Sequence, residues 1–195
     1  MPDRARMPDA DFTELIGDRI VLRRFRPGDL TAFVAYRSDP DVARYQSWDA
    51  PYSRAGGERM ITALLGRHPD TAGEWFQFAM VLRATGGFIG DCAAGIPADD
   101  PRRAEIGFTL ATPYQGHGYA TEAARMLLGY LFDGRGKHRV TACCDPRNTA
   151  SARVLGRLGM RREGHLREST WAKGEWTDDL LFAMLDHEWR TARAR

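Results

Sequence analysis

The stretch that decides the fold is Gln115-Gly116-His117-Gly118-Tyr119-Ala120, which joins a predicted strand to a predicted helix. From Ala120 to Leu131, apolar residues recur with helical spacing and predict one continuous apolar helix face. The first N–H groups of a helix have no internal partner, and the helix dipole adds partial positive charge there. Gly116 and Gly118 allow the backbone to approach a phosphate closely. The stretch therefore predicts an anion site, although a plain tight turn before a helix shows the same pattern.

Neither of two common phosphate-binding motifs fits this glycine pattern. No Gly-Lys-Ser/Thr follows, so it is not a Walker loop, and no third glycine stands three residues after Gly118, as a Rossmann fingerprint requires. On either side, strand and helix signals are interspersed, which predicts an α+β fold with a mixed central sheet. Helices are predicted to start at Asp29, near Arg59, at the glycine turn and at Asn148, and Asp39 starts a turn or a helix. The predicted strands are 20–23, 75–83, 88–96, 104–110, 139–144, 164–171 and 175–185.

Length and charge exclude several classes of protein. The chain has 195 residues with 28 Lys and Arg against 26 Asp and Glu, a net charge of +2. This length fits one domain, and the balanced charge argues against a nucleic-acid partner. No stretch has the apolar length of a membrane span, so no membrane partner is expected. Residues 1–11 lack the apolar core of a secretory signal and are expected to form a mobile arm before a domain at 12–195.

The three cysteines, Cys92, Cys143 and Cys144, indicate a reducing compartment. An odd number without paired spacing argues against a disulfide framework. Cys143 and Cys144 are adjacent in an apolar run, which favours buried strand thiols over metal ligands. These observations predict a cytoplasmic protein without a metal site.

Several motifs, in the right order, carry a resemblance to a known family. The stretch 115–120 fits Gln/Arg-x-x-Gly-x-Gly/Ala and resembles the acyl-CoA pyrophosphate loop of the GNAT N-acetyltransferase superfamily. Thr121-Glu122-Ala123 resembles the start of the next helix in its RimJ/RimL-like branch, which includes ribosomal-protein N-terminal acetyltransferases. Residues 148–160 resemble that branch's Asn-x-x-Ser…Leu-Gly-Met/Phe segment, and 105–110 resemble the strand before the loop. The similarity covers nearly the whole chain beyond residue 11.

The resemblance implies a fold and an activity. The fold would be a single GNAT-like domain with about six to seven strands, about four helices and a splayed strand pair at the acyl-CoA site. The activity would be transfer of an acetyl group from acetyl-CoA to a primary amine, either a protein N-terminal α-amine or a small-molecule amine. Such a protein would be a monomer or a homodimer. Two other functions stay open: a catalytically silent acyl-CoA-binding or sensing module, and a nucleotide- or phosphate-binding regulator suggested by the glycine turn alone.

The resemblance also implies residues that bind the cofactor. The backbone of the glycine turn would hold the phosphates, and the strand before it would bind the pantetheine arm and polarise the thioester. Asn148 would contact CoA, although an asparagine here also serves as a helix cap. The residues expected to bind CoA are Phe108, Thr109, Leu110, Gln115, Gly116, His117, Gly118, Tyr119, Ala120 and Asn148.

Two residues are the candidates for catalysis. Many members of the superfamily carry a tyrosine as general acid four residues after the position of Ser151, where this chain has Leu155. Ser151 is therefore the local candidate to donate a hydrogen bond to the departing sulfur. Glu105 could take the amine proton directly or through water, or it could be an ordinary solvated carboxylate. No single base is required if the amine arrives neutral. The reserve candidates for the base are Glu74, Asp91 and Asp178.

The acceptor pocket is expected to form from two segments by resemblance, the early 36–57 and the late hairpin near 171–178. Four aromatic residues in them could wall a pocket for the apolar part of an amine. Packing in the core or at its rim is the alternative role for the same rings. These residues are Trp48, Tyr52, Trp171 and Trp176.

Overall fold

Eight strands form one sheet, and six helices pack around it, in the computed structural model, which describes residues 12–193. The expected mobile arm at 1–11 lies outside the described residues. The strands are β1 (Glu14–Ile16), β2 (Ile20–Arg23), β3 (Trp75–Leu82), β4 (Phe88–Gly95), β5 (Arg103–Leu110), β6 (Arg139–Cys144), β7 (Arg161–Ala172) and β8 (Glu175–Leu185). The helices are α1 (Leu30–Arg37), α2 (Pro40–Ala43), α3 (Arg54–Leu65), α4 (Tyr119–Gly129), α5 (Thr149–Arg157) and α6 (Asp186–Arg193).

The strand order is β1-β2-β3-β4-β5-β6-β8-β7, and β5 and β6 form the parallel pair in an otherwise antiparallel sheet. Their shared ladder is short, because only Arg103–Glu105 pairs with residues 139–141. Beyond it β5 continues to Leu110 and β6 to Cys144 without facing each other. The expected splayed strand pair is therefore confirmed.

Helices cover both faces of the sheet. On one face, Tyr36 of α1 reaches Asp91 of β4. On the other face, Phe78 of β3 contacts the rings of Phe12 and of Tyr130, which follows α4. The apolar face of α4 is fully buried, as its spacing predicts, so the helix that follows the glycine turn is fixed firmly against the sheet.

Within residues 12–193 the structure has eight strands where about six to seven are expected and six helices where about four are expected. The additional elements are the strand β1, the short helix α2, which the sequence leaves as a turn or a helix, and the C-terminal helix α6. β1 is only three residues long, too short for an alternating pattern to stand out. Helix α6 is strongly charged, and it is fixed by Trp189, whose ring stacks on Phe132 at 5.9 Å. Tertiary packing rather than helix propensity therefore explains α6.

Helix α3 starts at Arg54, five residues earlier than expected. The Ser53 side chain caps it by accepting a hydrogen bond from the Gly56 N–H. Gly57 lies in close contact with α1, where an added Cβ would come within 2.8 Å of a Val34 methyl group. Gly57 is therefore a position of close packing between α3 and α1.

The cysteine prediction was half right. Cys92 and Cys144 are buried in strands, but Cys143 is exposed on β6. Successive side chains of a strand point to opposite faces, so the Cys143 side chain points away from that of Cys144. At this point β6 is no longer paired with β5. Within residues 12–193, no helix has the length and apolar character needed to cross a membrane.

Candidate functional site

Two glycines in the left-handed region shape the turn before α4. Gly116 has φ +80° and Gly118, the N-cap, has φ +82°, a conformation that other residues adopt only with strain. The turn leaves the N–H groups of the first α4 residues without helical partners. The Gln115 amide donates to the carbonyl of Leu110 at 3.0 Å and ties the turn to the end of β5. Unpartnered N–H groups at the start of a helix are suited to an anion, and an anion site at this turn stays a prediction.

A cleft of about 250 Å³ opens between the second half of β5 and the starts of α4 and α5. Helix α2 and the two residues Tyr45 and Gln46 form its roof. The predicted site residues that line it are Phe108, Thr109, Leu110, Gln115, Gly116, Ala120, Asn148 and Ser151. No local sequence signal predicts this contact with the cleft, because α2 is a four-residue helix that reaches the cleft only through tertiary packing.

The other three residues of the turn lie outside this cleft. The exposed His117 ring stacks on Tyr119 at 5.9 Å, and Arg19 donates to the His117 carbonyl at 2.9 Å. Gly118 borders a separate, open groove on the side of Arg19 and Glu122. A backbone role for this part of the turn stays a prediction.

The free edge of β5 points hydrogen-bonding groups into the cleft. Ala111 donates its N–H to the carbonyl of Ile89 on β4, whereas the Ala104 carbonyl faces β6 and accepts from the Thr141 hydroxyl at 3.4 Å. Because these directions alternate along a strand, the N–H and C=O groups of Phe108 and Leu110 point toward the splay. Those of Thr109 point toward β4.

Two residues at the start of α5 border the cleft. Asn148 caps the helix by accepting from the Ser151 N–H at 3.1 Å, which confirms its structural role. Ser151 borders both this cleft and a smaller cavity of about 120 Å³ between the splayed strands. Leu155 is buried and lines the smaller cavity, so this position offers an apolar wall in place of a phenol.

A third cavity, of about 430 Å³, lies between the segment after α2, the end of β6 and the β7–β8 hairpin. Tyr45 and Gln46 border all three cavities, which therefore form one row through the splayed strands. Trp171 lines the third cavity, and Trp176 packs edge-on against it at 5.4 Å. Both tryptophans are about 60% exposed.

The other two aromatic candidates belong to the packing of α1. The Trp48 indole donates to the Arg37 carbonyl at 3.1 Å, and the Arg37 guanidinium lies 3.8 Å from the Trp48 ring centre. Tyr52 packs edge-on against Phe33. Neither Trp48 nor Tyr52 lines the three cavities, and Trp48 meets the β7–β8 hairpin through its backbone, because its carbonyl accepts a hydrogen bond from Lys173 at 2.6 Å.

Glu105 is the last residue of β5 that pairs with β6, opposite Thr141, where these two strands separate. Within residues 12–193 no group donates a hydrogen bond to its half-buried carboxylate. Burial raises the pKa of Glu105, and the negative charge of Asp179 on β8 raises it further. A carboxyl group with a raised pKa is a better proton acceptor at neutral pH than an ordinary glutamate. Glu105 is not among the residues that line the three cavities.

The reserve candidates for the base lie elsewhere. Glu74 is at an exposed edge, paired with Arg67 at 3.5 Å. Asp91 is buried and bonded to Tyr36 and Arg37. Asp178 accepts hydrogen bonds from the Glu168 N–H at 2.8 Å and shares one of 2.6 Å with His165. In the part of the chain that the structure describes, no cluster of His, Cys, Asp or Glu side chains could hold a metal ion.

Comparison with known proteins agrees with this geometry. Residues 19–161 match the family model described as an acetyltransferase (GNAT) domain. The chain is 30% identical over 175 residues to the uncharacterized N-acetyltransferase p20 of Bacillus licheniformis, covering 90% of this chain and 97% of that protein. A GNAT-family acetyltransferase structure from Bacillus anthracis superposes with a TM-score of 0.81 at 28% identity, covering 90% of this chain and all of the other.

A shorter match has a named substrate. The [ribosomal protein uS5]-alanine N-acetyltransferase of Escherichia coli is 30% identical over 88 residues, 45% of each chain. The chain belongs to the GNAT family and is an acetyltransferase, as the resemblance predicts. This family uses acetyl-CoA and an amine acceptor.

Proposed function

We propose that the protein transfers an acetyl group from acetyl-CoA to a primary amine by direct attack of the amine on the thioester. The row of three cavities through the splayed strands carries this proposal. The cleft at the glycine turn would take CoA, and the third cavity would take the acceptor. The two substrates would then meet at the smaller cavity, under Tyr45 and Gln46.

The backbone supplies most of the binding of acetyl-CoA. The unpartnered N–H groups at the start of α4 are suited to the pyrophosphate, so a nearly neutral chain can hold an anionic substrate without a lysine cluster. The N–H groups of Phe108 and Leu110 point into the cleft, where they can polarise the thioester carbonyl. Asn148 stands at the mouth, between the cleft and the smaller cavity.

The reaction requires one proton to leave and one leaving group to be stabilised. The ammonium form of the acceptor loses a proton to the Glu105 carboxylate. The proton passes through water, because Glu105 does not line any of the three cavities. The neutral nitrogen attacks the carbonyl carbon and the C–S bond breaks. The nitrogen then loses its second proton, which passes to the thiolate while the thiolate sulfur accepts a hydrogen bond from Ser151. Acetyl-CoA and an ammonium ion thus give an N-acetyl amide, CoA and a proton.

Two classes of acceptor fit this site, a protein N-terminal α-amine and a small-molecule amine. The match to the ribosomal-protein alanine acetyltransferase spans less than half of this chain, so it favours the first class only weakly. The exposed Trp171 and Trp176 would contact the part of the acceptor next to the amine.

The test is release of CoA thiol from acetyl-CoA with a panel of amines and N-terminal peptides. We expect at least one member of the panel to raise thiol release well above hydrolysis and to yield an N-acetyl product by mass spectrometry. Binding of acetyl-CoA without transfer to any amine would instead indicate the silent acyl-CoA-binding module.

Calorimetric titration with CoA and ATP tests the anion site separately. We expect CoA to bind more tightly than ATP, and Gly118→Val to weaken CoA binding about tenfold or more, because φ +82° is strained for a β-branched residue by roughly 1–2 kcal/mol or more. Tighter binding of ATP would support a nucleotide-binding regulator instead.

A further inference from the structure

The charges around the third cavity do not cancel. Four carboxylates border it, and three of them are held in ion pairs. Arg147 pairs with Asp145 at 2.7 Å and with Glu175 at 2.9 Å, and Lys173 pairs with Asp49 at 2.9 Å. The fourth, Asp179, has no ion pair within residues 12–193.

Asp179 borders the cavity and uses one of its two carboxylate oxygens to accept structural hydrogen bonds. Its Oδ2 accepts hydrogen bonds from the hydroxyl groups of Ser169 and Thr170, both at 2.7 Å. No described group donates to Oδ1. The remaining cation of the cavity wall, Arg44, lies over the ring of Tyr45 at 5.9 Å. The two hydroxyl groups thus fix the carboxylate without neutralising its charge.

The position of Asp179 relates it to the reaction centre. On β8 it is two residues from Leu181, which pairs with Cys143 at the free edge of β6. Its charge acts on Glu105 at the point where the strands separate and on Cys143, which borders both the small and the third cavity. An amine held at Asp179 therefore lies next to the cavity in which the thioester is expected.

We infer that Asp179 binds the ammonium group of the acceptor, and that the acceptor is a primary amine that is cationic at neutral pH. This inference rests on the proposed function. An N⁺–H···O⁻ hydrogen bond supplies the counter-charge that the cavity lacks. The tryptophan pair, Trp171 and Trp176, covers the apolar part beside the ammonium group. Acceptors with an acidic group next to the amine are disfavoured by the same carboxylate.

The neighbouring residue provides a matched control. Asp178 and Asp179 are adjacent on β8, so their side chains point to opposite faces, and only Asp179 borders the cavity. Asp178→Asn and Asp179→Asn remove the same charge one residue apart. Asp179→Glu keeps the charge, and thermal unfolding of each variant shows whether it has folded.

The experiment measures binding to the CoA-saturated protein by calorimetry, with benzylamine as the cationic probe and benzyl alcohol as its uncharged isostere. We expect the wild-type protein and Asp178→Asn to bind benzylamine more tightly than benzyl alcohol. We expect Asp179→Asn to bind benzylamine at least tenfold more weakly, and Asp179→Glu to recover part of the loss. The inference is overturned if the wild type binds both probes equally, or if the two Asn variants behave alike.

This measurement is independent of turnover. If no amine in the panel is acetylated but benzylamine binding depends on Asp179, the acceptor-site inference stands while acetyl transfer fails. If Asp179→Asn acetylates cationic amines with the wild-type KM, the inference fails while acetyl transfer stands.

Discussion

Two aspartates on one face of the same sheet have different kinds of partner. Asp91 on β4 is buried and has both the Arg37 guanidinium and the Tyr36 hydroxyl as partners. Asp179 on β8 is half-buried, borders a cavity and, among residues 12–193, has only hydroxyl partners. The fold supplies a cation to the carboxylate that holds α1 against the sheet. It supplies no cation to the carboxylate that faces the proposed acceptor. The partner of a carboxylate is therefore a better guide to its role than its burial.

The largest effect is expected from Asp91→Asn. This variant leaves the Arg37 guanidinium buried without its counter-charge, and we expect the free energy of unfolding to fall by about 3–5 kcal/mol. Chemical denaturation measures the loss. Asp179→Asn, which keeps an oxygen that can accept from both hydroxyl groups, should lose less than about 1 kcal/mol. Equal losses in the two variants would remove the distinction between these aspartates.

Glu105→Gln should affect the rate rather than the stability. We expect kcat/KM to fall about 100-fold or more with the best amine of the panel, in line with the loss of a general base. The free energy of unfolding should not fall, because no described group donates a hydrogen bond to this carboxylate and its raised pKa shows that its buried charge is unfavourable in the folded protein. Unchanged activity between about pH 6 and pH 9 would exclude Glu105 as the base.

The reactivity of the Cys143 thiol depends on the same charges and can be measured without catalysis. Burial, then the charges of Glu105 and Asp179, raise its pKa from 9.0 to about 11, so the thiolate fraction at neutral pH is about 100-fold smaller than for an ordinary thiol. We expect slow alkylation by iodoacetamide despite exposure, and faster alkylation in Asp179→Asn. Asp178→Asn should leave the rate unchanged. Fast alkylation of the wild-type thiol would contradict this electrostatic picture.

The smallest effect is a shift in the pH profile. A base must be deprotonated to act, so the raised pKa of Glu105 places the acid limb of kcat/KM above the pH expected for an ordinary glutamate. Asp179→Asn removes the nearby negative charge, lowers the pKa of Glu105 and should move that limb to lower pH by less than about one unit. A shift to higher pH would show that the limb belongs to another group.

The sequence predicts the parts of this site that depend on near neighbours. The glycine turn, the apolar face of α4 and the Asn148 cap are all encoded within a few residues of each other. Tyr45 and Asp179 carry no such signal. Asp178 and Asp179 look alike in the sequence, and only the pairing of β7 with β8, irregular between Leu166 and Thr170, decides which one borders the cavity. Likewise, the partner of Asp91 comes from α1, more than fifty residues earlier.

Only three residues pair between β5 and β6, so the sheet consists of two halves joined by this short ladder, which we call the seam. A pantetheine arm bound along the free edge of β5 would hydrogen-bond to that edge, as an additional strand would. Ligand that binds only the folded chain stabilises it by RT ln(1 + [L]/Kd), about 2.7 kcal/mol at 100 times Kd. The resistance of this protein to local opening, seen as amide exchange along the seam, should therefore rise and fall with the supply of acetyl-CoA.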